Sequence, residues 1–126
     1  MKKIITTDKA PAPIGPYNQA VLLGNLLYTS GQIAINPKTG ALEIDDIEKE
    51  TKLVMENLKA ILKAAGMTFE NVIKSSIFVS DMHNFSKINK IYGKYFNAET
   101  APARETVEVA NLPKFVNVEI SVIAAC

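Results

Sequence analysis

The chain has 126 residues, 48% hydrophobic and 21% charged, which excludes a disordered polymer and gives a single domain spanning residues 1–126 enough chain for a substantial core. Fourteen basic against thirteen acidic side chains leave a net charge of +1. No Lys/Arg block stands out beyond Lys2-Lys3, so the electrostatic footprint that dominates nucleic-acid affinity is missing and nucleic acid is disfavoured as a partner.

In chain order, Lys3-Ile4-Ile5-Thr6-Thr7 reads as a short first strand. Ala10 to Tyr17 carries Pro11, Pro13, Gly15 and Pro16, which forbid regular pairing and favour a stiff, extended loop. Gln19 to Leu23 and Leu26 to Ser30 flank Gly24-Asn25, a two-residue link that closes a tight β-hairpin. Both of these strands are apolar on both faces, which implies burial on both sides of the sheet. Gly31 to Ile35 continues the extended run to a turn at Asn36-Pro37-Lys38-Thr39-Gly40.

The period then changes to helical. Ile47, Val54, Leu58, Ile61, Leu62 and Ala65 recur on one face; Asp45-Asp46 offers caps, with Glu48 three residues after Asp45 as in a capping box; Gly66 is the expected stop. Val72 to Ser80 reads as a strand. A second helix, capped by Asp81 or Asn84, carries the stripe Phe85, Ile88, Tyr92, Tyr95 and Phe96. Asn89 falls on that stripe, where a buried amide needs partners; neighbouring backbone would suffice.

A C-terminal β-hairpin is expected, with strands around Arg104–Ala110 and Val116–Ile123. Alternation puts Arg104, Thr106, Glu108 and Ala110 on one face and Glu105, Val107 and Val109 on the other. In the second strand Val116, Val118, Ile120 and Val122 form an apolar row, and Asn117, Glu119, Ser121 and Ile123 a mixed one. Pairing apolar row with apolar row puts Arg104 and Glu119 on a common face. A guanidinium fork suits a carboxylate ligand, and a nearby glutamate could orient water. A structural Arg–Glu ion pair is the competing reading.

The only cysteine, Cys126, and the only histidine, His83, exclude an intrachain disulfide, a Ser-His-Asp triad and a zinc site of usual composition. No metal is expected. No apolar run approaches the roughly 20 residues needed to span a bilayer, and the N-terminus lacks the apolar core of a signal peptide, so a cytoplasmic protein away from the membrane is expected. Two amphipathic helices can cover one face of an α+β sheet. The apolar face left over is expected to be buried by self-association, with Arg104 and Glu119 near a subunit boundary.

Several short motifs in order carry a family resemblance. They are Ile14-Gly15-Pro16-Tyr17, Ser30-Gly31-Gln32-Ile33, Asn36-Pro37-Lys38-Thr39-Gly40, Ala64-Ala65-Gly66, Phe78-Val79-Ser80-Asp81-Met82, Pro102-Ala103-Arg104 and Leu112-Pro113-Lys114. Over nearly its whole length the chain resembles the Rid family of reactive intermediate deaminases, also known as L-PSP endoribonucleases or translation inhibitors. The resemblance implies a chorismate-mutase-like mixed β-sheet with two helices packed on one face, three such sheets forming the barrel core of a homotrimer. It also implies sites in the clefts between subunits and hydrolytic deamination of enamines or imines, such as 2-aminoacrylate, to 2-oxo acids and ammonia without a cofactor.

Carried over by position, the resemblance implies that Arg104 grips the substrate carboxylate and Glu119 orients the attacking water. Tyr17, Ser30, Gly31, Asn89 and Thr106 match the family's pocket lining. Ordinary packing for Tyr17 and a backbone hydrogen bond for Ser30 are the plainer readings of those two residues alone. Glu105 departs from the small residue usual after the arginine, Asn111 from a common basic residue, and Thr106 from the cysteine of some relatives. These changes bear on substrate preference more than on reaction type. Two alternatives stand beside deamination: a non-catalytic trimer that binds 2-oxo acids, and an endoribonuclease or translation inhibitor.

Overall fold

The computed structural model describes residues 1–126. The first hairpin forms as its turn dictates: β2 (Ala20–Leu23) and β3 (Leu26–Thr29) pair antiparallel around Gly24, whose φ of 61° is left-handed. β1 (Lys3–Ile5) adds to β2 as an edge strand. Residues 31–35 do not extend β3 as a strand; only an isolated bridge, Gln32 to Ile120, joins them to the sheet.

Helix α1 (Ile47–Ala64) starts at Asp46, which accepts from the Glu48 and Lys49 amides. Asp46 therefore replaces the expected Asp45–Glu48 box, and Gly66 stops the helix with φ 74°. β4 (Val72–Val79) follows. Asp81 caps a single 3-10 turn at Met82–Asn84, and α2 (Phe85–Gly93) follows with no side-chain cap from Asn84. Tyr95 and Phe96 lie past the end of α2 but still pack inward, stacking with Phe69 and Tyr92.

The expected C-terminal hairpin does not form. β5 (Ala103–Glu108) pairs parallel to β4 as an edge strand, and β6 (Val118–Ala125) inserts between β3 and β4, antiparallel to both. The strand order is β1-β2-β3-β6-β4-β5. β4–α2–β5 is thus a βαβ crossover, which requires a helix-length connection and forces the two strands parallel. The result is an α+β fold: a mixed six-stranded sheet with both helices on one face.

The core lies between helices and sheet. Val54, Leu58, Ile61 and Leu62 of α1 and Ile88 and Tyr92 of α2 meet Leu27, Ile77, Val79, Val118, Ile120 and Val122. The opposite face of the sheet carries Ile4, Leu23, Tyr28 and Val107, all exposed in the single chain. No helix is long and apolar enough to cross a membrane.

One carboxylate is built into this core. Glu50 of α1 is fully buried and accepts from the Asn117 amide (2.8 Å), its Nδ2 (2.7 Å) and the Val118 amide (3.3 Å), pinning the start of β6 to the helix. Burial raises its pKa against the pull of these donors. Glu50→Ala leaves the three donors without an acceptor and is expected to cost about 2–4 kcal/mol of unfolding free energy in a urea titration. A loss below about 1 kcal/mol would mean that water replaces the carboxylate without penalty.

Candidate functional site

β5 is at the edge of the sheet, and its helix-side row is polar because no helix covers it fully. Arg104 stands opposite Ser75 of β4, which stands opposite Val122 of β6, so its side chain leaves the sheet on the helix side. Its Nη1 donates to Asn89 Oδ1 at 2.7 Å. The guanidinium carbon lies 5.2 Å from the Tyr92 ring centroid and 5.6 Å from that of Phe85. These two rings form an aromatic shelf that orients the guanidinium plane. Tyr92 in turn donates to Ser75 Oγ at 2.8 Å.

Arg104 has no acidic partner. The ion pairs of the chain are Lys74–Glu105, His83–Asp81 and Lys90–Glu48. The structural Arg–Glu pair considered from sequence is therefore absent within the chain, and most of the guanidinium's five donors are free. Asn89 is exposed rather than buried, and its partner is Arg104 rather than backbone. Thr106, next on the same row, has a buried Oγ1 with no hydrogen-bond partner. An orphaned hydroxyl beside a free guanidinium offers a pair of donors to an anionic ligand.

Glu105 points the other way, as alternation requires. Ser76 donates to it and Lys74 Nζ lies 2.9 Å from it, which together hold its carboxyl below the usual range. It does not compete for Arg104.

Glu119 also lies on the open face, opposite Phe78 in the β4–β6 register and three positions from the Ser75 row. Arg104 and Glu119 are thus on opposite faces of the sheet, correcting the common face inferred from sequence. That inference assumed direct β5–β6 pairing with apolar rows matched. β4 separates the two strands, and at the sheet edge it is the polar row of β5 that faces the helices.

Glu119 is half-buried with no cation or hydrogen-bond donor on its carboxylate, and desolvation raises its pKa. The backbone of Gly31 closes over it: a Cβ built on Gly31 would stand 2.7 Å from Glu119 Cδ. The close approach at Gly31 is thus against this side chain. A cleft of about 60 Å³ opens beside the carboxylate, lined by Ile14, Tyr17, Gln32, Ile33, Ile35 and Pro113 among others. By volume it takes a few water-sized groups.

Tyr17 sits on the proline loop with its hydroxyl accepting from the Ile14 amide at 3.3 Å. Ser30 donates its hydroxyl to the Asn18 carbonyl, the plainer role foreseen for it. The seven residues singled out from sequence therefore form two groups. Arg104, Asn89 and Thr106 stand on the helix side of the β5 edge; Glu119, Gly31 and Tyr17 line the open-face cleft, and Ser30 precedes Gly31 in the chain without lining it. Phe85, Tyr92 and Gln19 were not singled out. The first two read as core stripe, and only the tertiary contact with Arg104 distinguishes them.

Comparison with known proteins adds the following. The endoribonuclease L-PSP family profile matches residues 7–126. A RutC family protein of Pyrococcus horikoshii is 51% identical over 98% of each chain. A 2-iminobutanoate/2-iminopropanoate deaminase of Salmonella typhimurium is 46% identical, again over 98% of each chain. The crystal structure of E. coli TdcF with bound serine superposes with a TM-score of 0.93 at 44% identity, covering 98% of both chains.

Proposed function

Since the chain belongs to the endoribonuclease L-PSP family, the Rid family, we propose that it hydrolyses small enamine and imine carboxylates such as 2-aminoacrylate to 2-oxo acids and ammonia, in clefts shared between protomers of a homotrimer. The observation that carries the reading is the unpartnered, half-buried carboxylate of Glu119 beside a small cleft. Such a group costs stability, and a cost of that kind is characteristic of residues kept for chemistry. The homologous imine deaminase supports the reaction class.

The chemistry needs little machinery. The enamine takes a proton at carbon to become an imine. Water adds to the C=N carbon, giving a carbinolamine whose C–N bond breaks to release ammonia and leave the ketone. Glu119 accepts the proton of the attacking water and returns one to the departing nitrogen; desolvation raises its pKa, which makes the carboxylate a stronger base for the first of these steps. Arg104, aligned by Asn89 and the Phe85–Tyr92 shelf, grips the substrate carboxylate, and the free Thr106 hydroxyl donates beside it. Opposite faces of one sheet cannot both line one cleft. In the proposed assembly, one protomer's Arg104 edge meets the next protomer's Glu119 face, and the exposed apolar residues Ile4, Leu23 and Tyr28 are covered.

The test is to generate 2-aminoacrylate with a dehydratase and follow its decay with and without the protein; an unaltered decay rate overturns the reading. Turnover should also vary mildly with salt, whereas binding to RNA phosphates would fall steeply. A second reading, a non-catalytic binder of small amino or oxo acids, is favoured by the serine bound to TdcF. Binding of a 2-oxo acid with no acceleration of imine decay would establish it instead.

Gly31→Ala is a local test. The added methyl must displace the Glu119 carboxylate, and a displacement near 1 Å is expected to lower kcat about 10²-fold. The backbone of Gly31 has no left-handed φ, so the melting temperature should hardly change. Unchanged kcat would show that Glu119 relaxes without penalty or plays no part in turnover.

A further inference from the structure

The proline loop that carries Tyr17 has an unusual shortage of donors. Pro11, Pro13 and Pro16 lack amide hydrogens, so the carbonyls of the segment outnumber its N–H groups. The hydrogen bonds of residues 9–17 from Lys9 to Thr7 Oγ1, from Ile14 to the Tyr17 hydroxyl and from Tyr17 to the Gly15 carbonyl all stay within the loop. Apart from the buried methyl of Ala10, what ties the loop to the sheet is one side chain, Gln19.

Gln19 is 3% exposed and uses its whole carboxamide. Oε1 accepts from the Thr7 amide at 2.8 Å. Nε2 donates to the carbonyls of Thr7 (3.0 Å), Ala10 (3.2 Å) and Pro11 (2.9 Å). Pro11 is the last point held before residues 13–17, which run exposed to Tyr17. The Gln19 carbonyl accepts from the Ser30 amide at 2.9 Å, next to Gly31. Gln19 also lines the cleft with Tyr17, Gly31 and Glu119. One residue therefore holds both walls of the cleft: the Tyr17 loop through its side chain and the Ser30-Gly31 segment through its backbone.

We infer that Gln19 is a positioning residue that sets the distance between the Tyr17 loop and Glu119, so that substrate enters a preformed cleft. Its kinetic consequence rests on the proposed deamination; its structural consequence does not. A side chain that fixes a binding wall without touching the reacting atoms affects affinity more than chemistry.

Gln19→Met keeps the length and removes all four hydrogen bonds. It is expected to raise KM about tenfold with kcat within about threefold of wild type. Hydrogen exchange of the hydrogen-bonded loop amides, Thr7, Lys9, Ile14 and Tyr17, should accelerate, by at least tenfold at Thr7, while amides of α1 and β6 keep their protection. In a Tyr17→Ala background the same change should raise KM by less than about twofold, because the residue it acts through is gone. Gln19→Glu, which keeps the acceptor for Thr7 and loses the donors, should move the same quantities in the same direction. Unchanged exchange at residues 7–17, or KM effects that multiply in the double variant, would overturn the inference. So would unfolding of the whole chain by both substitutions, which would make Gln19 a general core residue. If wild type shows no turnover, the deaminase reading fails on its own and the exchange measurement still decides the role of Gln19.

Discussion

Glu119→Gln is expected to lower kcat about 10²–10⁴-fold, the range for removing a positioned general base, without lowering the melting temperature. The two halves of that result have one cause. Glu119 has no cation or donor holding its carboxylate, so removing the charge breaks no contact within the chain. Desolvation raises its folded pKa above the ordinary 4.5. Between 4.5 and the raised value the folded state binds more protons than the unfolded state, so this group's contribution to stability falls as pH rises through that window. The amide variant escapes that penalty at neutral pH and matches wild type in acid. The acid limb of the wild-type kcat profile should likewise lie above 4.5. A variant that turns over normally, or one that melts well below wild type at neutral pH, would remove Glu119 from the chemistry and make it a structural group.

Arg104→Ala should lower kcat/KM about 10²–10⁴-fold, from the loss of two charge-assisted hydrogen bonds to a carboxylate at about 1.5–3 kcal/mol each. The more telling result is expected from mixing. If each cleft takes Arg104 from one protomer and Glu119 from its neighbour, then Arg104→Ala and Glu119→Gln trimers, each inactive alone, regain activity when unfolded and refolded together. At equal amounts about half the clefts receive an intact arginine and half of those an intact glutamate, so about a quarter of wild-type activity returns. A single-protomer site returns none. Zero recovery, with mixed trimers demonstrated by mass, would refute the shared cleft. Arg104 is an exposed side chain with no acid partner, so its truncation should not destabilise the fold, unlike removal of a buried ion-pair partner at about 3–5 kcal/mol.

Much of the local structure is legible residue by residue. Gly24-Asn25 announces the first hairpin, the apolar stripe of residues 47–65 announces α1, and strict alternation divides β6 into a buried row of Val118, Ile120, Val122 and Ala124 and an open row that includes Glu119. The same alternation sends Glu105 away from Arg104. Asn89 is exposed although its spacing puts it on the α2 stripe, because it lies at the rim of that stripe, where exposure depends on what lies across the groove. What lies there is Arg104.

The amino-acid sequence by itself determined most of the elements, the division of each strand into two faces and the chemical inventory of guanidinium, carboxylate, hydroxyl and amide. Only the tertiary structure decided that β5 joins β4 rather than β6, and hence that Arg104 and Glu119 leave the sheet in opposite directions. The physical reason is that side-chain alternation has a period of two within a strand, whereas the phase between strands is set by which backbone edges pair. That choice is made by the helical crossover and by core packing, not by the residues flanking either group.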